Sequence, residues 1–297
     1  MHRALRGCCV TRLLYSWMVS FLVWLARTLP AGTSYRIGEA LTGFHYYLFP
    51  SRRKGATSNV LTVLGNGDLD SRAKQTTYLV FKNFMRYLVE MFYFPHINEK
   101  NVTDFISLEG LEHLDRALEQ GNGAVLVTVH LGNWELAGAA LSLKGYPLHV
   151  IVGDQMTTRV KGFAQYRWEK GTRAITPADS FRQIFQALRN NEIIVILLDG
   201  YLYDQAVEVP FFGRPMRFPR GAAKLSHRTG APILPGVCVR GENRHLVARV
   251  MPPLRANPVL PEEDAVLHTT TELVSLMEDQ IRAHVDQWCI FRPLWEE

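Results

Sequence analysis

Apolar residues change their spacing along this chain. Between Arg12 and Arg27 they form an unbroken, uncharged run from Leu13 to Ala26. From Tyr35 to about Pro95 they recur at helical steps, most clearly at Phe81, Phe84, Met85, Leu88 and Phe92, which together make one stripe. Beyond Asn101, short apolar runs alternate with helical periods. The expected order is a helix over Leu111 to Leu118, a buried strand over Ala124 to Val129 and a helix over Trp134 to Leu143. A strand from Leu148 to Val152, a helix from Phe181 to Arg189 and a strand from Ile193 to Leu198 follow. A helix near Gly221 to Arg228, strands over Ile233 to Val239 and His245 to Met251, and a long helix over Glu262 to Val285 complete it. Pro252-Pro253 and Pro258 to Pro261 mark a loop. Such alternation predicts an α/β fold, a mixed sheet flanked by helices. No internal repeat is visible.

The run Leu13 to Ala26 is too short for a ~30 Å hydrocarbon core at about 1.5 Å per residue. Flanking arginines can snorkel, and a tilted or partial insertion reconciles the length. Residues 1–30 are therefore expected to be a membrane-anchor segment, ahead of a domain over 31–297 whose first part, 31–100, is helical and whose remainder, 101–297, is α/β. Two other readings stand beside the anchor: a cleaved signal peptide, with Arg3 and Arg6 as its basic front, and an ordinary buried helix. Ala26-Arg27-Thr28 is a poor small-residue cleavage site. Trp17 and Trp24 suit a membrane interface.

A chain of 297 residues can bury one large core. It is 47% hydrophobic and 21% charged, as globular chains are, with a net charge of +5 that favours anionic partners. Zinc-finger spacing, aromatic-and-basic RNA signatures and long Lys/Arg runs are all missing, so nucleic acid is not an expected partner. Cys8, Cys9, Cys238 and Cys289 form no disulfide framework, and a reducing compartment fits them. Cys8 and Cys9 are read as reduced thiols, with lipidation as the alternative.

The most informative segment is Val127-Thr128-Val129-His130-Leu131-Gly132-Asn133-Trp134-Glu135, where a buried strand enters a polar, glycine-containing turn that opens a helix. His130 should project at the carboxyl edge of the sheet, where open α/β sheets bind ligands. A Glu five positions after the His can fold back onto one imidazole nitrogen and leave the other for substrate. That is the base-and-orienter logic of acyl transfer, and it needs no enzyme nucleophile. The competing reading is a hydrogen-bonded histidine at a strand end and a first-turn glutamate favoured by the helix dipole.

His130-Leu131-Gly132-Asn133-Trp134-Glu135 resembles the His-x4-Asp/Glu motif of glycerolipid and lipid A acyltransferases, in the form found in the late acyltransferases of bacterial lipid A biosynthesis. Val209-Pro210-Phe211-Phe212-Gly213-Arg214-Pro215 and Thr229-Gly230-Ala231-Pro232-Ile233-Leu234-Pro235 are similar to two further blocks of that family. His284-Val285-Asp286-Gln287-Trp288 looks like its His-Pro-Glu-Gln-Trp ending, from which Val285 and Asp286 depart. The likeness spans nearly the whole chain. It implies His130 as general base and Glu135 as its orienter, with backbone amides near Asn133 or basic side chains around the oxyanion.

Asp199 ends the strand over Ile193 to Leu198, so parallel pairing would bring its carboxylate to the edge that carries His130. The family has an Asp in this place; Asp199-Gly200 is also a good turn dipeptide. Asn133, Asp199, Arg214, Arg217 and Arg220 are taken as substrate-binding. The arginines continue to Lys224 and Arg228 with no acidic residue between, beginning beside Phe211-Phe212, and suit a phosphate or carrier. Gly221, opening a helix, could offer further amides to an anion, while a solvated helix face is the plain alternative. After the strand that ends near Val152 the lipid A enzymes usually carry Arg-Pro and an Asn. Here stand Gly153-Asp154-Gln155, with Arg159, Arg167 and Arg173 downstream, so the acceptor is left open.

The resemblance implies a membrane-bound O-acyltransferase that moves a fatty-acyl group to a glycolipid hydroxyl, with a lipid A precursor as the leading acceptor. Acyl carrier protein or coenzyme A carries the thioester as co-substrate; no cofactor or metal is expected. The expected location is the bacterial inner membrane, with the active site toward the cytoplasm. One rival is a metal-dependent hydrolase using His130, Glu135, Asp199 and His227, ligand types that suit zinc. Another is a non-catalytic lipid-binding protein. Gly-x-Ser-x-Gly and Walker sequences are missing, which removes serine-hydrolase and nucleotide-hydrolase readings.

Overall fold

The computed structural model describes residues 28–65, 68–151, 169–175, 180–200, 206–241 and 243–295. The Leu13–Ala26 run, the Gly153-Asp154-Gln155 segment, Arg159 and Arg167 lie outside them. Among the described residues no helix is long and apolar enough to cross a membrane.

Four helices open the described chain: α1 (Ala31–Ala40), α2 (Thr42–Leu48), α3 (Pro50–Leu64) and α4 (Ser71–Tyr93). Pro50 sits in the first turn of α3, where its missing N–H costs nothing, and Gly65 ends that helix in the left-handed conformation. Asp70 caps α4 by accepting the Ala73 N–H at 2.7 Å. Of the apolar stripe expected on α4, Phe81 is fully buried, while Phe84, Met85, Leu88 and Phe92 are half-buried.

The α/β part alternates as expected. In chain order come β1 (Ile106–Glu109), α5 (Leu111–Leu118), β2 (Ala124–Thr128), α6 (Trp134–Leu143), β3 (Leu148–Ile151) and β4 (Arg173–Ile175). Next are α7 (Ser180–Arg189), β5 (Ile193–Leu197), β6 (Ala206–Phe211), β7 (Arg214–Pro219), α8 (Gly221–Thr229), β8 (Ile233–Arg240), β9 (Leu246–Val250) and α9 (Glu262–Ala283). Among the described residues the main sheet has the order β1-β9-β8-β2-β5-β3-β4. Strands β8, β2, β5, β3 and β4 run parallel, β9 is antiparallel to β8, and β1 is parallel to β9, so the sheet is mixed.

The central strands β2 and β5 are apolar at successive positions because both of their faces are covered. Val125, Val127, Ile194 and Ile196 pack on one side with α7, α8 and α9, represented by Leu188, Leu225 and Met277. Ala124, Leu126, Ile193 and Val195 face the other side with Leu114 of α5 and Leu141 of α6. The result is a three-layer arrangement with the core on both faces of the sheet.

Strands β1 and β4 and the β6–β7 hairpin were not expected. β1 and β4 are short edge strands with exposed positions, so they carry little apolar signal. The hairpin contains Pro210, Pro215 and Pro219, residues that argue against a strand interior, yet it forms a separate two-stranded ribbon. Its two-residue turn puts both Phe212 and Gly213 at positive φ, 51° and 75°, the geometry that matches strand twist.

Candidate active site

Register builds the site. Adjacent parallel strands pair Thr128 with Leu197, so the chain two residues beyond each brings His130 against Asp199 at the carboxyl edge. Asp199 Oδ1 lies 2.8 Å from His130 Nδ1, and the two carboxylate oxygens accept the His130 backbone N–H at 3.1 and 2.9 Å. Trp288 Nε1 donates to Asp199 Oδ2 at 2.7 Å. The carboxylate is only 1% exposed. Burial pushes its pKa up, but the His130 charge, the His130 side-chain bond and the Trp288 indole outweigh that and hold it below its ordinary value.

This arrangement decides the tautomer. An ionised carboxylate can only accept, so Nδ1 carries the proton that it donates to Asp199. Nε2 is left with its lone pair on a ring that is 22% exposed. Trp134 meets the ring edge-on at 4.6 Å between centroids. A Cβ at Gly200 would stand 3.9 Å from His130 Cε1, so the residue there borders the ring closely.

The turn after β2 is clamped by the C-terminal segment. His130 O accepts the Cys289 N–H at 2.9 Å, and Gly132 N–H donates to Gln287 O at 3.0 Å. Gly132 has φ +60°, and a Cβ there would fall 2.2 Å from Cys238 O, so only glycine fits. Gln287 in turn exchanges two bonds with Arg240, at 2.7 and 2.9 Å.

Beneath the turn lies a buried ion pair. Glu90 of α4 takes both terminal nitrogens of Arg240, the Tyr35 hydroxyl at 2.7 Å and the Asn133 amide at 2.7 Å. Asn133 uses its carbonyl oxygen to cap α6 through the Leu136 N–H at 2.9 Å. Burial raises the Tyr35 pKa, and the Glu90 charge raises it further, so the phenol stays protonated and donates. Burial likewise pushes the Cys238 and Cys289 thiols up to about 12, which removes them as nucleophiles at neutral pH.

Several sequence expectations are corrected. The carboxylate on Nδ1 comes from Asp199, 69 residues on, and not from Glu135. Glu135 instead occupies the first turn of α6, half-buried and engaged in a contact of its own. Asp199 was expected to bind substrate, yet it is sealed under the imidazole. Asn133 is fully buried, with its side chain committed to Leu136 and Glu90. On its N-terminal side, the N–H groups of residues 130–132 are also engaged, by Asp199, Val129 O and Gln287 O.

The basic series also divides. Arg220 pairs with Glu263 at 2.5 Å, and Lys224 and Arg228 both pair with Glu262, so the carboxylates missing from the local sequence arrive from α9. Arg214 and Arg217 have no carboxylate partner among the described residues and line a cavity of about 290 Å³ with Glu208, Arg292 and Trp295. Arg292 donates to Gly200 O, which links that cavity to the residue beside Asp199. Sequence reasoning assigned no role to Glu90, Arg240, Trp288 or Arg292; the ending around Trp288 was the available signal. The four residues of the metal reading do not assemble, since His227 is bonded to Leu260 O at 3.1 Å, and among the described residues no group of three potential ligands is placed to hold a metal.

Residues 5–297 match the profile of the bacterial lipid A biosynthesis acyltransferases. The chain belongs to that family. The enzyme is accordingly an acyltransferase, and its family implies a lipid or glycolipid acceptor. Two curated relatives are phosphatidylinositol mannoside acyltransferases. That of Mycobacterium tuberculosis strain H37Rv is 32% identical over 222 residues, covering 72% of this chain and 68% of its own length. That of Mycolicibacterium smegmatis is 27% identical over 224 residues, with coverage of 72% and 70%.

Proposed function

We propose that this acyltransferase moves a fatty-acyl group from an acyl carrier protein or coenzyme A thioester to a sugar hydroxyl of a phosphorylated glycolipid, at the cytoplasmic face of a bacterial inner membrane. His130 is the general base and Asp199 its orienting carboxylate. The observation that carries this reading is the buried Asp199 carboxylate bonded to Nδ1 at 2.8 Å, which leaves Nε2 as the acceptor.

Nε2 takes the proton of the acceptor hydroxyl as its oxygen attacks the thioester carbonyl. Asp199 stabilises the imidazolium so formed. Collapse of the tetrahedral intermediate breaks the C–S bond, and the departing sulfur receives the proton from Nε2. An ester and a free thiol result. Glu135 is kept as a second functional carboxylate, acting on substrate or its surroundings rather than on Nδ1. Arg214, Arg217 and Arg292 around the 290 Å³ cavity suit the phosphates of the acceptor or of the donor's pantetheine arm. Arg220 is drawn toward Glu263 and does not line that cavity.

A lipid A precursor is the acceptor favoured by the family description. A phosphatidylinositol mannoside is the second reading, favoured by the relatives' names and by Gly153-Asp154-Gln155 in place of the lipid A enzymes' usual residues. Purified enzyme given acyl-coenzyme A or acyl carrier protein thioester should release thiol only when one of these glycolipids is present. Release that needs no acceptor, or that persists near the parent rate in His130→Ala, would overturn the proposal.

A further inference from the structure

The helix pair α1 and α2 has its polarity inverted on the outside. Tyr35, Gly38, Thr42 and His45 are its buried face. The opposite face carries Ile37, Leu41, Phe44 and Leu48, repeating at four-, three- and four-residue steps, all exposed, where a solvated helix would be polar. Tyr47 and Phe49 extend the patch, and Phe44 and Tyr47 are 67% and 72% exposed. A contiguous apolar surface of this kind on a soluble face calls for a partner.

Charge chooses the partner. Residues 28–54 hold Arg36, Arg52, Arg53 and Lys54 against one carboxylate, Glu39, and that carboxylate is already taken by Lys82, Arg86 and Arg244. Arg52 stands over the Phe49 ring at 5.1 Å, and Arg53 over Tyr46 at 5.2 Å and Tyr47 at 5.8 Å. Aromatic rings interleaved with cations fit the headgroup zone of an anionic bilayer, with the rings at the acyl boundary and the guanidinium groups at the phosphates. In sequence the patch closely follows the apolar run Leu13 to Ala26.

We infer that the exposed face of α1 and α2, with the basic start of α3, docks on an anionic lipid bilayer as a second contact, separate from Leu13–Ala26. This rests on the reading of the enzyme as one that takes a lipid acceptor. The face is joined to the catalytic residue by rings in contact. Phe49 meets His45 at 4.9 Å, His45 stacks on Phe84 at 5.6 Å, Phe84 on Tyr87 at 5.8 Å and Tyr87 on Trp134 at 5.0 Å, and Trp134 abuts His130. Docking of the patch, with Phe49 at its edge, therefore sets that aromatic wall, and His130 at its end, at a fixed attitude to the lipid surface.

The test uses the full-length enzyme with Cys8→Ser and Cys9→Ser, the remaining Cys238 and Cys289 being buried. A polarity-sensitive fluorophore is attached through Phe44→Cys, through Leu48→Cys in case the first variant folds poorly, and through Val259→Cys as a remote control that is 87% exposed. Vesicles of phosphatidylglycerol and phosphatidylcholine carry nitroxide-labelled lipid. Labels at 44 and 48 should shift to the blue and be quenched, the label at 259 should not, and pure phosphatidylcholine with added salt should weaken vesicle binding roughly tenfold or more. Labels at 44 and 48 that stay in water on vesicle-bound enzyme would overturn the inference, as would failure to bind vesicles. Shielding that appears without vesicles and grows with protein concentration would assign the face to a second copy of the chain instead. None of these readouts needs turnover, so an enzyme that docks but transfers no acyl group would refute the proposed function and leave the docking face standing.

Discussion

Two of the carboxylate–cation clusters among the described residues differ in where they keep their charge. Under the turn that carries His130, Glu90, Arg240 and Asp199 are buried, and their acceptor and donor atoms are shared among Tyr35, Asn133, His130 and Trp288. Between α8 and α9, Arg228 grips Glu262 with two bonds, and Lys224 and Arg220 add pairs to Glu262 and Glu263. The inner cluster gains from low dielectric, but only while every partner is present. The outer cluster is partly exposed, with Arg228 at 48% and Glu263 at 74%, so solvent screens it. Close ion pairs of similar geometry therefore have different consequences: the inner ones fix the attitude of one imidazole, whereas the outer ones tie the surface of α8 to α9.

The largest expected effect falls where the inner cluster meets the solvent. His130→Ala should lower acyl transfer by about 10²–10⁴-fold, the range a positioned base supplies. Asp199→Asn should cost a comparable factor, because an amide can donate to Nδ1 and so favours the tautomer that puts the proton on Nε2. The double variant should lose little beyond His130→Ala, since the two act as one unit. Thiol-release kinetics of the three proteins check this, and multiplying losses would separate the residues' roles.

Next in size is Glu90→Ala, which strands the Arg240 guanidinium in the interior. A loss of about 3–5 kcal/mol of folding stability is expected, measured by denaturant unfolding. Burial works against the Arg240 charge, and the Glu90 charge and hydrogen bonds outweigh it, so the pKa of Arg240 is raised; Glu90→Ala removes that support, yet a guanidinium is basic enough to keep its charge at neutral pH. A variant as stable as the parent would mean that the turn stands without its floor.

Asp199 supplies the pH dependence. Its folded pKa is depressed, so its contribution to stability is fully present above the unfolded value of about 3.9 and is lost as pH falls through the folded value. The stability gap between the parent and Asp199→Asn should hold steady at mildly acid pH and narrow below about pH 4. Unfolding curves across that window test the sign; a gap that widens with acid would reverse it.

Much of this was legible in the sequence. The α/β alternation and the edge position of His130 and Asp199 follow from apolar runs ending in polar turns. Glu135 on His130 was the local solution, and it was superseded because a parallel neighbour can deliver a carboxylate that is distant in sequence but adjacent in register. Glu90 inside the α4 pattern looked like any helix glutamate; its partner Arg240 closes β8, 150 residues later. A single sequence carries no pairing signal over such a separation. Arg220, Lys224 and Arg228 were obscured for the same reason, since their carboxylates sit on α9. The β6–β7 hairpin was hidden by prolines that an isolated ribbon tolerates.

The smallest expected effect belongs to the outer cluster and is the sharpest check on the comparison. Arg228→Ala, Glu262→Ala and the double variant should melt within the reproducibility of the scan of one another, because solvent already screens this pair and both long side chains lose freedom when they meet. The bidentate geometry, the most favourable form of an arginine–carboxylate contact, makes this a demanding case. Substrate kinetics should stay at the parent level as well, since neither residue lines the cavity held by Arg214, Arg217 and Arg292. Raising the ionic strength should leave the variants as indistinguishable as before. If the double-mutant cycle instead yields a coupling as large as the loss expected for Glu90→Ala, burial is not what separates the two regions. The strength of the inner cluster would then have to be sought in its number of hydrogen bonds, which Tyr35→Phe and Asn133→Ala remove one at a time.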